Sequence, residues 1–309
     1  MTDRSTRNDQ GRGPRDGPAP LVSIGLPVYN GQRFLAHALD SLLAQTERDF
    51  ELIISDNASS DETQAICERY AARDARIRYV RQQTNIGAPR NWNFVAQHAR
   101  GTFFKWSSAN DYCEPTLLER CVAAMRADPS VVLCHGRTCL VDEDIGQSEV
   151  YPDDIEVVSD RACEWFSTIC AGLRLNNAQS GVMRLDALKK TRLDRPYPGG
   201  DKVLMAELAL IGKFVLLPDT LLYRRMGRAT FSRLLTNAEL QAFFDPAAPR
   251  APRFGSVRLH ADILMAVATA SMPLTQKLCA LRVALRYAAW DRKRMFGELG
   301  RAFFGSQHA

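Results

Sequence analysis

Leu21-Val22-Ser23-Ile24-Gly25-Leu26-Pro27-Val28-Tyr29-Asn30-Gly31 is the stretch that decides how this chain folds. Val22, Ile24, Leu26 and Val28 make a β-strand, and the run breaks into a turn at Asn30-Gly31. Leu35, Ala38, Leu39 and Leu42 then recur at helical spacing, and a second apolar strand over 50–55 stops at Asp56-Asn57. Strand, helix and strand in that order build a mostly parallel α/β sheet with helices on both faces.

Outward from this unit the alternation continues. Ser59 and Glu62 fit a capping box for a helix over 61–72, and a third strand covers 77–81. After the turn Asn85-Ile86-Gly87, a helix over 89–99 is closed by Gly101 and leads into the apolar strand 102–106. Pro115 suits the first turn of a helix reaching Ala127, and 131–135 and 138–141 read as two further strands. The next clear helix spans 201–211 with Gly212 as its stop, followed by strands at 214–217 and 221–225. Beyond Thr230 the pattern is helical, with a Pro/Ala/Arg-rich break at 245–253. The expected organisation is a disordered arm over 1–20, an α/β domain over 21–233 and a C-terminal helical extension over 234–309.

With 309 residues and 46% apolar content, the chain can bury a large core. Its net charge of +5, from 40 basic and 35 acidic residues, lacks the dense basic face of a nucleic-acid binder, so no nucleic-acid partner is expected. Residues 274–309 hold seven basic and two acidic side chains, which accounts for the whole excess. Eight cysteines without a C-x-x-C pair read as reduced packing residues rather than a disulfide framework or a zinc ribbon. The first 20 residues lack the apolar core of a signal peptide, and no window reaches the ~18 apolar residues of a membrane span. A cytoplasmic location is the expectation.

Ligands of open α/β sheets lie at the carboxyl ends of the strands, and polar groups collect there. Asp56, at the end of the second strand, carries a carboxylate with lone pairs for a base or ribose; the same residue also suits an ordinary turn. Asn110-Asp111, at the end of the fourth strand, is the candidate diphosphate and metal site, because Mg²⁺ or Mn²⁺ bridging phosphates wants hard oxygen ligands.

Leu21 to Asn30, the Ser55 to Asp61 run and Asn85-Ile86-Gly87 together resemble family 2 glycosyltransferases, and the similarity extends over roughly 21–228. That resemblance implies the A-type glycosyltransferase fold, a nucleotide-diphosphate sugar donor and inversion at the anomeric carbon. It also implies that Pro27, Val28, Tyr29 and Asp56 line the base and ribose pocket, that Asn85, Gly87, Arg90 and Asn91 approach the donor, and that Asn110-Asp111 stands at the family's Asp-x-Asp position. The family's catalytic base matches Asp201 in Gly199-Gly200-Asp201, where a helix N-cap is the competing role. Glu207 lies about 120° away around that helix and ranks second.

The chain departs from the family pattern twice. Asn110 replaces the first carboxylate, and Gly227 stands where relatives carry a histidine. Arg224, Arg225 or Arg228 then becomes the candidate partner of the leaving diphosphate, since guanidinium pairs bidentately with phosphate. A catalytically weakened nucleotide-sugar-binding homologue is the alternative to an active transferase. A nucleotidyltransferase needs a fuller glycine-rich phosphate loop than Gly31-Gln32-Arg33, and a dinucleotide dehydrogenase needs a G-x-G-x-x-G that is absent.

His135, alone on an apolar strand, reads as a core residue, and Trp92, Trp106 and Trp165 as core fillers, with Trp106 the one placed to stack on a ligand. Leu274, Leu278, Leu281 and Leu285 make one helical stripe with Lys277, Arg282 and Arg286 off it. Packing of that stripe on its own domain is the expectation; peripheral contact with an anionic membrane and homo-oligomer contact are the alternatives. Sugar, base and acceptor are not specified by these residues.

Overall fold

The computed structural model describes residues 17–157, 159–226, 236–248 and 254–304. Residues 1–16 of the expected arm over 1–20, the domain boundary at 233, Gly227 and Arg228 lie outside the described residues.

In chain order the elements are β1 (Val22–Val28), α1 (Leu35–Leu43), β2 (Phe50–Asp56), α2 (Thr63–Arg73), β3 (Ile77–Arg81), α3 (Ala88–Gln97), β4 (Phe103–Trp106), β5 (Tyr112–Cys113) and α4 (Leu117–Ala127). Then come β6 (Val131–Asp142), β7 (Gln147–Val150), α5 (Ala162–Gly172), a 3-10 turn (Asn177–Ser180), β8 (Val182–Arg184), α6 (Leu185–Leu188), α7 (Gly200–Ala209) and β9 (Lys213–Arg225). Four helices follow: α8 (Asn237–Phe244), α9 (Gly255–Thr269), α10 (Leu274–Trp290) and α11 (Arg292–Phe304).

All seven residues of β1 and all seven of β2 are buried, as strands covered on both faces must be. The sheet order is β3-β2-β1-β4-β8-β6-β9-β5, with β7 on β6. The pairings from β3 to β4 are parallel and so is that of β6 with β9, whereas β8 is antiparallel to β4 and β6, β7 to β6 and β5 to β9, so the sheet is mixed beyond its parallel first half. β1 and β2 stay in register out to Val28 opposite Asp56, whereas β4 leaves β1 at Trp106 opposite Gly25. The strands part there and open the crevice at their carboxyl ends.

The two strands expected at 131–141 are one strand, and so are the two at 214–225. β6 and β9 pair through a bulge: Gly136 faces Leu217 and Arg137 faces Thr220, which leaves Pro218 and Asp219 without partners. Proline has no N–H for a ladder and belongs at such a bulge. The expected capping box at Ser59 and Glu62 does not form. Ser59 Oγ accepts from the Asn30 amide at 2.9 Å, and the Glu62 amide donates to Gln32 Oε1 at 3.0 Å, tying the β2–α2 loop to the β1–α1 loop. Asp61 instead accepts from the Thr63 amide at the helix start.

One core layer joins α1, α2 and α4 to the sheet through Leu35, Leu39, Ile66, Leu118 and Met125. The other unites α3, α5 and α7 with α9 and α10 through Val95, Phe166, Leu204, Ile263 and Ala284. Residues of the C-terminal helices thus share a core with the sheet. Against the reading of all eight cysteines as reduced, Cys163 and Cys279 form a disulfide that ties α5 to α10; the other six are free and buried. The leucine stripe of α10 also departs from expectation. Leu274, Leu278, Leu281 and Leu285 are exposed, while Ala280 and Ala284 supply the packed face. Small side chains let α10 approach closely, and that fixes which face turns inward. No helix among the described residues is long and apolar enough to cross a membrane.

Candidate functional site

Two loops form one wall of the crevice. The Asn57 amide donates to Val28 O at 2.8 Å, Gly31 N donates to Thr63 Oγ1 at 2.8 Å, and Tyr29 projects from the end of β1 with half its surface exposed. Pro27 and Val28 are buried in the backbone behind it. Asp56 does not have the free lone pairs read from the sequence. Its side chain is fully buried and accepts from the Ser59 amide at 2.8 Å, Tyr79 Oη at 2.9 Å and Arg81 Nη1 at 2.7 Å. Burial, and then the Asp56 hydrogen bond, push the Tyr79 phenol far above its ordinary range. Three of a carboxylate's roughly four acceptor positions are therefore spent on the fold.

Asn85, Gly87, Arg90 and Asn91 are likewise engaged. Asn85 Oδ1 accepts from Asn57 Nδ2 and from the Gly87 amide, and Asn91 pairs doubly with Ser55 through side chain and backbone. Gly87 has φ +84°, and a Cβ there would meet Phe244 O at 2.5 Å, so the end of α8 lies directly over this turn. Arg90 meets Asp245 bidentately, at 3.1 and 2.9 Å. The side chains of Asn85, Arg90 and Asn91 and the Gly87 backbone share one turn and the start of α3, and α8 covers part of them.

At the opposite wall, Asn110 has an exposed side chain, and its carbonyl accepts from Arg225 Nη1 at 2.6 Å. Asp111 Oδ1 accepts from the Arg225 amide at 3.1 Å. Burial pushes the Asp111 carboxyl above the ordinary carboxylate range, opposed by the Arg224 charge, the Arg225 amide and the Lys105 charge. Arg225 is a hub rather than a free phosphate hook. Only 7% exposed, its side chain sits over the Phe34 and Tyr112 rings at 4.4 and 4.8 Å and bonds Glu143 and His37. Tyr112 stacks on His37 and on Tyr223 in turn. Phe34, His37, Tyr112 and Glu143 were not read from the sequence; only the adjacency of Tyr112 to Asp111 hinted at one of them.

Arg224 points the other way along the crevice and donates to Asn177 Oδ1 at 2.8 Å. Its neighbour Asn176 donates to Asp201 Oδ2 at 3.0 Å. Asn176 and Asn177, at the entry to the 3-10 turn between α5 and β8, thereby link Asp201 to the Arg224–Asp111 group across 90 residues of sequence. Asp201 lies at the start of α7, where Gly199 has φ +90° and a Cβ on Gly200 would fall 2.1 Å from Arg195 O. The two glycines are required by this close turn, and the turn puts Asp201 in the first helical positions without a side-chain cap. Asp194 lies nearby, its amide and carbonyl both held by Asn93. Burial and then the Asp201 charge raise its carboxyl to about 8. Glu207, the second candidate base, is consumed by Arg192, which also pairs with Asp262.

Lys105, buried on β4, donates to Trp106 O at 3.1 Å and to Ser180 O at 2.5 Å, and burial depresses its pKa. It supports the crevice floor from behind. Trp106 is fully buried with Nε1 on Trp92 O at 3.0 Å, so it offers no face to a ligand. His135 is a core residue bonded to Ile155 O, its pKa lowered by burial.

Among the described residues no three His, Cys, Asp or Glu side chains gather to hold a metal ion. The donor set at Asp111 is one carboxylate, already accepting an amide and flanked by cationic Arg224, Arg225 and Lys105. It does not fit a resident divalent cation, which prefers several hard oxygen ligands.

Residues 23–148 match the family model described as Glycosyl transferase family 2. The uncharacterized glycosyltransferase EpsJ of Bacillus subtilis (strain 168) is 40% identical over 101 residues, 33% of this chain and 29% of that protein. The chondroitin synthase of Escherichia coli is 33% identical over 112 residues, 36% and 16% respectively. The matches thus take in well under half the length of these relatives. Among solved structures, S. aureus TarS 1-349 in complex with UDP-GlcNAc superposes with a TM-score of 0.63 at 16% identity, covering 90% of this chain and 79% of that one. The mannosyltransferase PcManGT from Pyrobaculum calidifontis, in complex with GDP-Man and Mn2+, gives 0.50 at 17% identity, covering 94% and 89%.

Proposed function

We propose, from the premise that residues 23–148 belong to glycosyl transferase family 2 and that the chain has the A-type glycosyltransferase fold, that this protein is an inverting glycosyltransferase using a nucleotide-diphosphate sugar. The observation that carries the reading is the contact chain Asp201–Asn176 and Asn177–Arg224, which sets a carboxylate and a cation in one crevice. The UDP-GlcNAc and GDP-Man complexes of the structural neighbours fit a donor of this class.

In this reading the donor base lies against the wall formed by Tyr29 and the Asp56 loop, beside the turn of Asn85, Gly87, Arg90 and Asn91. Asp56 acts by holding that loop through Ser59 and Arg81 rather than by meeting the base with free lone pairs. Asp201 takes the proton from the acceptor hydroxyl, the hydroxyl oxygen bonds to the anomeric carbon from one side, and the bond to the diphosphate breaks on the other. Arg224 meets the charge that develops on the departing diphosphate, with guanidinium geometry suited to phosphate oxygens. Arg225 holds Asn110-Asp111 in place.

The test is thermal unfolding against UDP-, dTDP- and GDP-sugars, followed by transfer assays with the donor that stabilises. Ligand at about 100 times its dissociation constant adds about 2.7 kcal/mol of stability, a plain upward shift. No shift with any donor would sink the reading. A second reading, donor binding without turnover, is favoured by Asn110 at the family's first carboxylate position. A donor-induced shift with no transfer, and transfer gained in Asn110→Asp, would establish it.

A further inference from the structure

We infer that the outer face of α10 and α11 is a docking surface for an anionic lipid bilayer. The leucines of α10 define it. At 100° per residue, Leu274, Leu278, Leu281 and Leu285 fall within roughly 40° of one direction, while Cys279, Val283 and Tyr287 lie roughly opposite. The second set packs on the core, and Cys279 is bonded to Cys163 of α5, so the leucines cannot turn inward without breaking that tie. They are 70%, 57%, 37% and 54% exposed. Phe296 on α11 is also exposed.

Charge selects the occupant. Arg282 and Arg286 are exposed roughly 80° and 120° to one side of the leucine direction, which suits side chains that reach up to headgroups while leucines enter the acyl boundary; Lys277, roughly 60° to the other side, is held by Ala268 O at 2.9 Å and is not part of this set. Arg292, Lys293 and Arg294 are exposed as well. The two carboxylates of residues 274–304 are both turned to the protein. Asp291 accepts from His260 Nε2 at 3.1 Å, and Glu298 accepts the Ser256 amide at the start of α9 at 3.0 Å. Among the described residues the outward face of these helices therefore presents apolar and cationic groups without an outward carboxylate. A second copy docking face to face would set cation against cation, because a two-fold interface repeats the same patch on both sides. An anionic bilayer supplies both the missing charge and the apolar layer. This inference stands apart from the proposed activity.

Flotation of the full chain with lipid vesicles tests it without any donor or acceptor. Vesicles with about 30 mol% phosphatidylglycerol should carry the protein and pure phosphatidylcholine vesicles should not, with binding falling as salt shortens the screening length. The double substitution Leu278→Ser and Leu285→Ser should weaken binding at least about tenfold, because both apolar insertions are lost. Arg282→Gln and Arg286→Gln should each weaken it roughly fivefold. These positions are exposed, so unchanged unfolding midpoints will separate lost docking from lost folding. No flotation on anionic vesicles, or flotation equal in all variants, would overturn the inference. So would a dimer in light scattering that Leu278→Ser dissociates, which would assign the face to a second copy.

Discussion

Asn176 Nδ2 stands 3.0 Å from Asp201 Oδ2, while Asn176 Oδ1 is buried without a partner. The amide therefore orients one oxygen of Asp201 and leaves the carboxylate otherwise uncommitted among the described contacts. Every other carboxylate weighed for this crevice is engaged: Asp56 by Ser59, Tyr79 and Arg81, Asp111 by the Arg225 amide, and Glu207 by Arg192.

Asp201→Asn should lower transfer by about 10²- to 10⁴-fold, the span of general base catalysis, with KM for the donor little changed. Its unfolding midpoint should not fall, since the new amide can donate to the orphan Asn176 oxygen. Steady-state kinetics beside thermal unfolding check both, and full turnover in the variant would remove Asp201 as base.

Asp194 predicts a pH dependence of stability. Its native carboxyl is raised to about 8, by burial first and by Asp201 second, so the native state holds a proton that the unfolded chain has released. A raised carboxyl contributes stability below its ordinary pKa that is lost as pH climbs through the native value. Between about pH 4 and 8 this group should cost about 1 kcal/mol per pH unit as pH rises. Urea unfolding at pH 6, 7 and 8 (about one unit apart) should show that slope, and Asp194→Asn should flatten it. Asp201→Asn should reduce it too, by removing the neighbouring charge.

Arg225→Lys should act as a drastic change. Lysine keeps the charge but loses the planar contact with Phe34 and Tyr112 and the separate bonds to Glu143, His37 and Asn110 O. We expect a loss of about 2 to 4 kcal/mol of stability, comparable to breaking a buried hydrogen-bonded charge, together with weaker donor binding. A variant that keeps both the wild-type midpoint and donor affinity would show that Arg225 does not hold the Asn110-Asp111 loop.

The parallel half of the sheet was legible because β1 and β2 are short apolar runs punctuated by Asn30-Gly31 and Asp56-Asn57, signals that depend only on neighbours in sequence. The antiparallel insertion of β8 between β4 and β6 was not, because pairing at such separation leaves no local period. The Ser59 and Glu62 pattern suits a cap, yet Asn30 and Gln32 from another loop compete for both groups. The α10 stripe failed for a related reason: amphipathic spacing reveals two faces, but the partner decides which is buried, and here Ala280 and Ala284 permit the close approach. The helix start at Asp201 was readable through its glycines, whereas the link from Asp201 to Arg224 through Asn176 and Asn177 depends on tertiary structure alone.

Metal dependence tests how the leaving charge is met. With an amide at Asn110 and Arg224, Arg225 and Lys105 around Asp111, the local field is already positive, and a further divalent cation gains little from the single carboxylate. Chelation should therefore reduce transfer by less than about tenfold, because arginine can stabilise the same phosphate charge. Arg224→Ala, by contrast, should cost about 10²-fold or more in kcat, the scale of removing one preorganised charge partner. Asn110→Asp adds a second carboxylate beside Asp111 and should increase the response to Mn²⁺ or Mg²⁺ even if basal transfer falls. Transfer that vanishes on chelation and is indifferent to Arg224→Ala would reverse the assignment, placing the diphosphate charge on a cation held by Asp111.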